Sequence, residues 1–322
     1  MTSQLDATGR LRHLLTLDGL PREVLSGLLD RAQAIIDGHG PAPDALVGQA
    51  VCTLFFEPST RTRLSFQRAA QRLGADVLDF DASTSSTTKG ESAIDTLRTI
   101  EAMGVRGFVL RDREEGAAAA LAAAAGPQTA IINAGDGRSA HPTPGLLDML
   151  SLRQAKGSDF SRPKVLMVGD VKHSRVARSG LQALRILGAG EVRVCGPDTL
   201  LPDDGTLDGC QVDDSLDRAI EGVDAVMMLR LQRERMEEGL VGPLEEYHRD
   251  WGLTAARLRR AAPDAVVMHP GPMNRGVEID DEVADGPQSL ILRQVANGVP
   301  VRMAVLETLL APRASARGAS GA

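Results

Sequence analysis

Short apolar runs alternate with helix-like segments along the first half of the chain. The runs 50–56 (AVCTLFF), 75–80 (ADVLDF), 107–111 (GFVLR) and 129–135 (TAIINAG) have the length and composition of buried strands. Between the first two, Phe66, Ala69, Ala70 and Leu73 keep the i, i+3, i+4, i+7 spacing of one helix face. Residues 91–104 and 116–126 read as further helices, and 145–157 as a helix stopped by Gly157. Strands alternating with helices predict a parallel sheet covered on both faces.

Residues 158–163 are polar and turn-rich, and the pattern then restarts. The runs 164–170, 191–197, 223–230 and 264–272 read as strands, and 174–188 as a helix with Ala177, Leu181 and Leu184 on one face. The last helical stretch, 289–310, contains Gly298 and Pro300, which predict a break within it. The expected fold class is α/β, with two doubly wound domains, each a mainly parallel sheet flanked by helices. The expected division is 1–150 and 151–288, with 289–310 packed back on the first domain and a small, polar, disordered tail over 311–322. A chain of 322 residues suits this division.

The unusual residues follow the strands. Ser59-Thr60-Arg61-Thr62-Arg63, Arg111, His141 to Pro144, Lys172 to Arg175, Arg230 to Arg235 and His269 to Pro272 each come just after an apolar run. In open α/β sheets, ligands bind outside the carboxyl ends of the strands. Such clusters from both halves predict one active site in the cleft between the domains.

Composition narrows the ligand. The net charge is −7 and aromatic residues are 2%, so a broad nucleic-acid surface is not expected. Local arginine clusters in an acidic chain suit a small anion instead. No apolar run reaches the ~18 residues of a membrane span. The first residues lack the basic start and apolar core of a signal peptide. Cys52, Cys195 and Cys210 form no CxxC pair, so neither a disulfide framework nor a metal site is expected. These features predict a cytoplasmic protein with no membrane partner.

The stretch FFEPSTRTRLSF (55–66) places hydroxyls and guanidiniums at a strand-to-helix turn. Unpaired N–H groups and the positive end of the helix dipole favour an anion there. On spacing alone, a helix cap with solvated arginines is an equal reading. The residues around it decide. FFEPSTRTRLSF, STSSTTKGES, HPTPGLLD, VGDVKHSRVARS, MLRLQRERM and HPGPMNRGVEI occur in the order found in the aspartate and ornithine carbamoyltransferases, which the chain resembles over nearly its whole length. The last three sequences side with the aspartate branch, because the ornithine enzymes carry HCLP where this chain has HPGP and lack the RLQ arrangement.

The resemblance implies transfer of the carbamoyl group of carbamoyl phosphate to the α-amino group of L-aspartate, the committed step of pyrimidine synthesis. It implies that Ser59, Thr60, Arg61, Thr62, Arg111 and His141 bind carbamoyl phosphate. Ser85 and Lys89 would join them from a neighbouring subunit, and the Pro270 and Gly271 carbonyls would hold the carbamoyl amide. Lys89, Arg175, Arg230, Gln232, Gly271 and Pro272 would hold aspartate. Glu57 and Arg235 would form ion pairs on domain closure. The family motif HPTQ is HPTP here, so Pro144 lacks the amide that helps hold the carbamoyl group. The implied chemistry is direct displacement, with Arg61, Thr62, Arg111, His141 and Lys89 as catalytic groups and no metal or organic cofactor. Shared sites imply a homotrimer, and relatives join regulatory or dihydroorotase-like chains in larger complexes. The alternatives are a carbamoyltransferase for another amine and a non-catalytic carbamoyl-phosphate-binding subunit.

Overall fold

The structure, a computed structural model, describes residues 4–81, 90–232 and 242–312. Ser85, Lys89, Arg235 and residues 313–322 of the expected tail lie outside the described residues. The first sheet contains β1 (Ala50–Phe55), β2 (Asp76–Asp81), β3 (Gly107–Asp112) and β4 (Ala130–Asp136), all parallel, in the order β2-β1-β3-β4. The second contains β5 (Lys164–Val168), β6 (Glu191–Cys195), β7 (Gln211–Asp213), β8 (Ala225–Met228) and β9 (Val266–Met268), also parallel, in the order β7-β6-β5-β8-β9. The strand order therefore reverses between β1 and β3 in one sheet and between β5 and β8 in the other. In open α/β sheets, such reversals form the crevices in which ligands bind.

The helices are α1 (Arg22–Ile36), α2 (Thr60–Arg72), α3 (Ala93–Ala102), α4 (Ala117–Ala124), α5 (Pro142–Lys156), α6 (Arg175–Leu187), α7 (Leu216–Ala219), α8 (Leu244–Trp251), α9 (Ala255–Leu258), α10 (Asp281–Ala284) and α11 (Ile291–Leu310). None of the described helices is long and apolar enough to cross a membrane. α5 packs on α6, and one apolar cluster runs from Val51 and Ile132 of the first sheet to Val165 and Met167 of the second. The free edge of β4 is covered by the N-terminal segment: Leu14 donates to the Ile131 carbonyl at 2.9 Å, and its own carbonyl accepts from Asn133 N–H at 2.8 Å.

Two sequence expectations change. The helix predicted from residue 145 begins at Pro142, so the HPTP segment is the first turn of α5 with His141 as its N-cap. Proline suits that start, because its missing N–H would have no helical partner there. The break predicted at Gly298 and Pro300 does not occur, and α11 is continuous through both. Pro300 and Gly298 are buried while α11 packs against α1, α2 and α5. A proline inside a helix costs about 3 kcal/mol, and burial of that long apolar face outweighs it.

Candidate active site

A cavity of about 490 Å³ opens between the two sheets. Glu57, Ser59, Thr60, Arg61, Thr62, Arg111, His141, Arg175, Arg230, Gln232, Pro270, Gly271 and Pro272, the predicted site residues among those described, all line it. Each arrives from the end of a strand or the start of a helix.

β1 leads into Ser59, the N-cap of α2, whose backbone is extended. The Ser59 hydroxyl makes no capping hydrogen bond, and the first turn of α2 carries no acidic residue. The cap reading of this segment therefore loses its main support. Thr62 is buried in the same turn. Arg111, aligned with Phe55 across the β1–β3 pair, emerges beside this helix start. One end of its guanidinium donates to the Ala134 carbonyl at 3.1 Å, and the other lies 3.3 Å from Glu57 Oε1.

The second sheet supplies Arg175 as the first residue of α6. Ser174 does cap this helix, accepting from Ala177 N–H at 3.1 Å. Arg175 is buried, with Nη2 2.9 Å from Glu57 Oε2 and Nη1 donating to the Gly137 carbonyl at 3.2 Å. Glu57 thus joins an arginine of each sheet. Gly135, at φ +113°, makes room for this arrangement, since a Cβ there would lie 2.7 Å from Arg175 Cζ. Beyond β8, Gln232 Nε2 donates to the His173 carbonyl at 3.1 Å.

The segment after β9 closes the far wall. Gly271 has φ +55°, and the Gly271–Pro272 peptide is cis. A Cβ on Gly271 would collide with the Arg61 guanidinium, so this turn packs directly on the first turn of α2. His141, at the head of α5, is fixed to α6 by its backbone N–H, which donates to Ser179 Oγ at 3.0 Å.

Among the described residues, five arginines line the cavity (Arg61, Arg111, Arg175, Arg230 and Arg302) against two acids, Glu57 and Asp148. Burial, with the Arg61 charge adding to it, lowers the Arg302 pKa to about 10. Arg61 is exposed by area, yet desolvation by its neighbours lowers its pKa, with Arg230 adding to the effect. Arg61 is thus repelled by Arg230 and itself repels Arg302, and such repulsion favours an anion between them.

Sequence reasoning missed the contribution of α11. Gln294, Gly298 and Arg302 recur every four residues of α11 and line the cavity. Two polar residues at i and i+8 with a glycine between them on one face are the signal that could have found them. Arg302 stacks over Phe66, 4.9 Å from the ring centroid, and Nη1 donates to the Gly298 carbonyl at 2.9 Å. Asp148, also missed, is fully buried and accepts from Gln294 Nε2 at 2.7 Å.

Residues 12–154 match the family described as aspartate/ornithine carbamoyltransferase, carbamoyl-P binding domain. Residues 162–309 match its Asp/Orn binding domain. An aspartate carbamoyltransferase catalytic subunit from Stenotrophomonas maltophilia is 73% identical over 311 residues, spanning 95% of this chain and 98% of the relative. One from Xanthomonas axonopodis pv. citri is 72% identical over 312 residues, spanning 96% and 99%. Among solved structures, aspartate transcarbamoylase from Trypanosoma cruzi with carbamoyl phosphate and aspartate superposes with a TM-score of 0.84 at 30% identity, over 95% of this chain and 99% of that one. Ornithine carbamoyltransferase from Thermus thermophilus gives 0.82 at 26% identity, over 93% and 99%. With both halves matched in order and relatives similar over nearly their full lengths, the chain belongs to the aspartate/ornithine carbamoyltransferase family.

Proposed function

We propose that the chain is an aspartate carbamoyltransferase, converting carbamoyl phosphate and L-aspartate to N-carbamoyl-L-aspartate and phosphate. The observation that carries this reading is one cationic cavity in which a helix start suited to phosphate, from one sheet, meets Arg175 and Arg230 from the other. The similarity to the named Stenotrophomonas relative supports the choice of reaction.

In this reading, the first turn of α2, with Ser59, Thr60, Arg61 and Thr62, holds the phosphate group. Arg175, Arg230 and Gln232 hold the two carboxylates of aspartate, and the Pro270 and Gly271 carbonyls accept from the carbamoyl NH₂. The deprotonated α-amine attacks the carbamoyl carbon, forming a C–N bond and placing negative charge on the former carbonyl oxygen. Arg111, Thr62 and His141 stabilise that charge. The C–O bond to phosphate then breaks, and the leaving phosphate takes the amine proton. The rate comes from positioning and preorganised charge, and no covalent enzyme intermediate is needed.

Ser85 and Lys89 complete the site from an adjacent subunit of a homotrimer. The relatives' designation as catalytic subunits supports an assembly. The reading also places the enzyme in the cytoplasm. A phosphate-release assay tests the assignment. Release should require both carbamoyl phosphate and aspartate, and Arg230→Ala should abolish aspartate dependence. Turnover of ornithine in place of aspartate, or no aspartate-dependent release from folded protein, would overturn it.

A further inference from the structure

Along the cavity wall, a chain of buried hydrogen bonds joins three segments distant in sequence. Asp148 Oδ1, on α5, accepts from Gln294 Nε2 on α11 at 2.7 Å. Gln294 Oε1 accepts from the backbone N–H of His269 at 3.0 Å. His269 Nδ1 accepts from Gly271 N–H at 2.7 Å, so its proton sits on Nε2 and donates to Glu278 Oε1 at 3.2 Å. Glu278 Oε1 also accepts from Asn274 N–H at 2.6 Å. Asp148, Gln294, His269 and Glu278 are each no more than 2% exposed. Both ends of the Gln294 amide are committed, which fixes its orientation and the distance from α5 to the turn after β9.

That turn carries the Pro270 and Gly271 carbonyls, which no backbone hydrogen bond among the described residues uses. A carbamoyl NH₂ brings two donors and needs acceptors in fixed places. Residue 144 lies one helical turn from Asp148 on the same face of α5 and lines the cavity, but as proline it offers no side-chain polar atom.

We propose that Asp148, Gln294 and His269 are positioning residues whose relay aims the Pro270 and Gly271 carbonyls at the carbamoyl amide, and that this relay is the chain's main selector for that amide. The proposal rests on the carbamoyl-phosphate reading above. It gives the relay a role distinct from phosphate binding: Asp148, Gln294 and His269 hydrogen-bond to one another and to Gly271 and Glu278, and the start of α2 meets this system only where Arg61 packs on Gly271.

The test compares two ligands on the full-length protein. Gln294→Ala cuts the relay in the middle, and Asp148→Ala cuts it at its root. Each should raise KM for carbamoyl phosphate about tenfold, as loss of one well-placed hydrogen bond does. Competitive inhibition by inorganic phosphate, which has no amide, should stay within about twofold of wild type. Pro144→Gln, added to Gln294→Ala, should recover most of the loss, because an amide at 144 reaches the same substrate group by another route. A wild type that turns over while both relay variants leave KM unchanged, or weaken both ligands alike, would overturn the relay proposal alone. So would a Pro144→Gln change that gives no recovery. A wild type that binds phosphate but does not use carbamoyl phosphate would instead overturn the functional reading on which the relay depends.

Discussion

Glu57 follows β1 directly and meets Arg111 at 3.3 Å and Arg175 at 2.9 Å, so one carboxylate spans both sheets. All three side chains are largely buried. Removing the charge takes away the carboxylate that both guanidiniums share. Glu57→Gln should therefore lower stability by about 3–5 kcal/mol, read from the urea midpoint, with loss of activity. Arg63 is the contrasting case. It pairs with Asp79 at 3.5 Å, and both side chains are more than 40% exposed. Such a pair contributes about 0–1 kcal/mol, so Arg63→Ala should leave turnover and the unfolding midpoint nearly unchanged. Burial pushes the Asp148 carboxyl up to about 7, against the hydrogen bond from Gln294. Because the folded pKa lies above the unfolded one, the stabilising effect is full below about pH 4 and is lost as pH rises through 7. Comparing urea unfolding of wild type and Asp148→Asn at pH 5 and pH 8 should show the variant gaining on wild type at the higher pH. The full span of the effect is on the order of 4 kcal/mol. A gap independent of pH would mean that Asp148 does not titrate in this range.

Elements differ in how openly the sequence declares them. The central strands are covered on both faces, so they read as unbroken apolar runs. The runs overstate some strands: 264–272 contains only three residues of β9, because its polar end belongs to the turn that lines the cavity. α8 escapes a periodicity reading because it is short and largely charged. Tyr247 and Trp251, one turn apart, hold it against Leu200 and Leu231. α1 carries the stripe Leu25, Leu28, Leu29, Ala32, which obeys the helical rule but lies outside the strand-centred pattern. α11 misleads in the other direction, since local chemistry at Pro300 argues for a break that tertiary packing overrides. Its Gly298 has a specific function in the packing: a Cβ there would lie 2.6 Å from Arg302 Nη1. Gly298→Ala should push Arg302 off Phe66, read as weaker phosphate inhibition, while the helix propensity gained by alanine, about 1 kcal/mol, offsets part of the clash in thermal unfolding. Unchanged phosphate inhibition would show that Arg302 has another place to go.

At the scale of the molecule, two switch points face one cavity, and most of the residues lining it were legible because they follow strands. What stayed hidden came from the far side of the fold. The register that brings Asp148 to Gln294 depends on how α11 docks, and no local pattern records that. The shared-site proposal also belongs to this scale. Mixing Lys89→Ala subunits with Arg61→Ala subunits should restore part of the activity, because some sites would then hold both wild-type residues. No recovery after demonstrated subunit exchange would argue for sites complete within one chain. The most direct measurement of the central claim follows an isotopic label in the carbamoyl carbon during turnover by the full-length protein. The account predicts that the label passes to N-carbamoyl-L-aspartate, one phosphate being released per molecule formed, only when aspartate is present. Label lost as decomposition products at a rate independent of aspartate, or carried to ornithine instead, would contradict it.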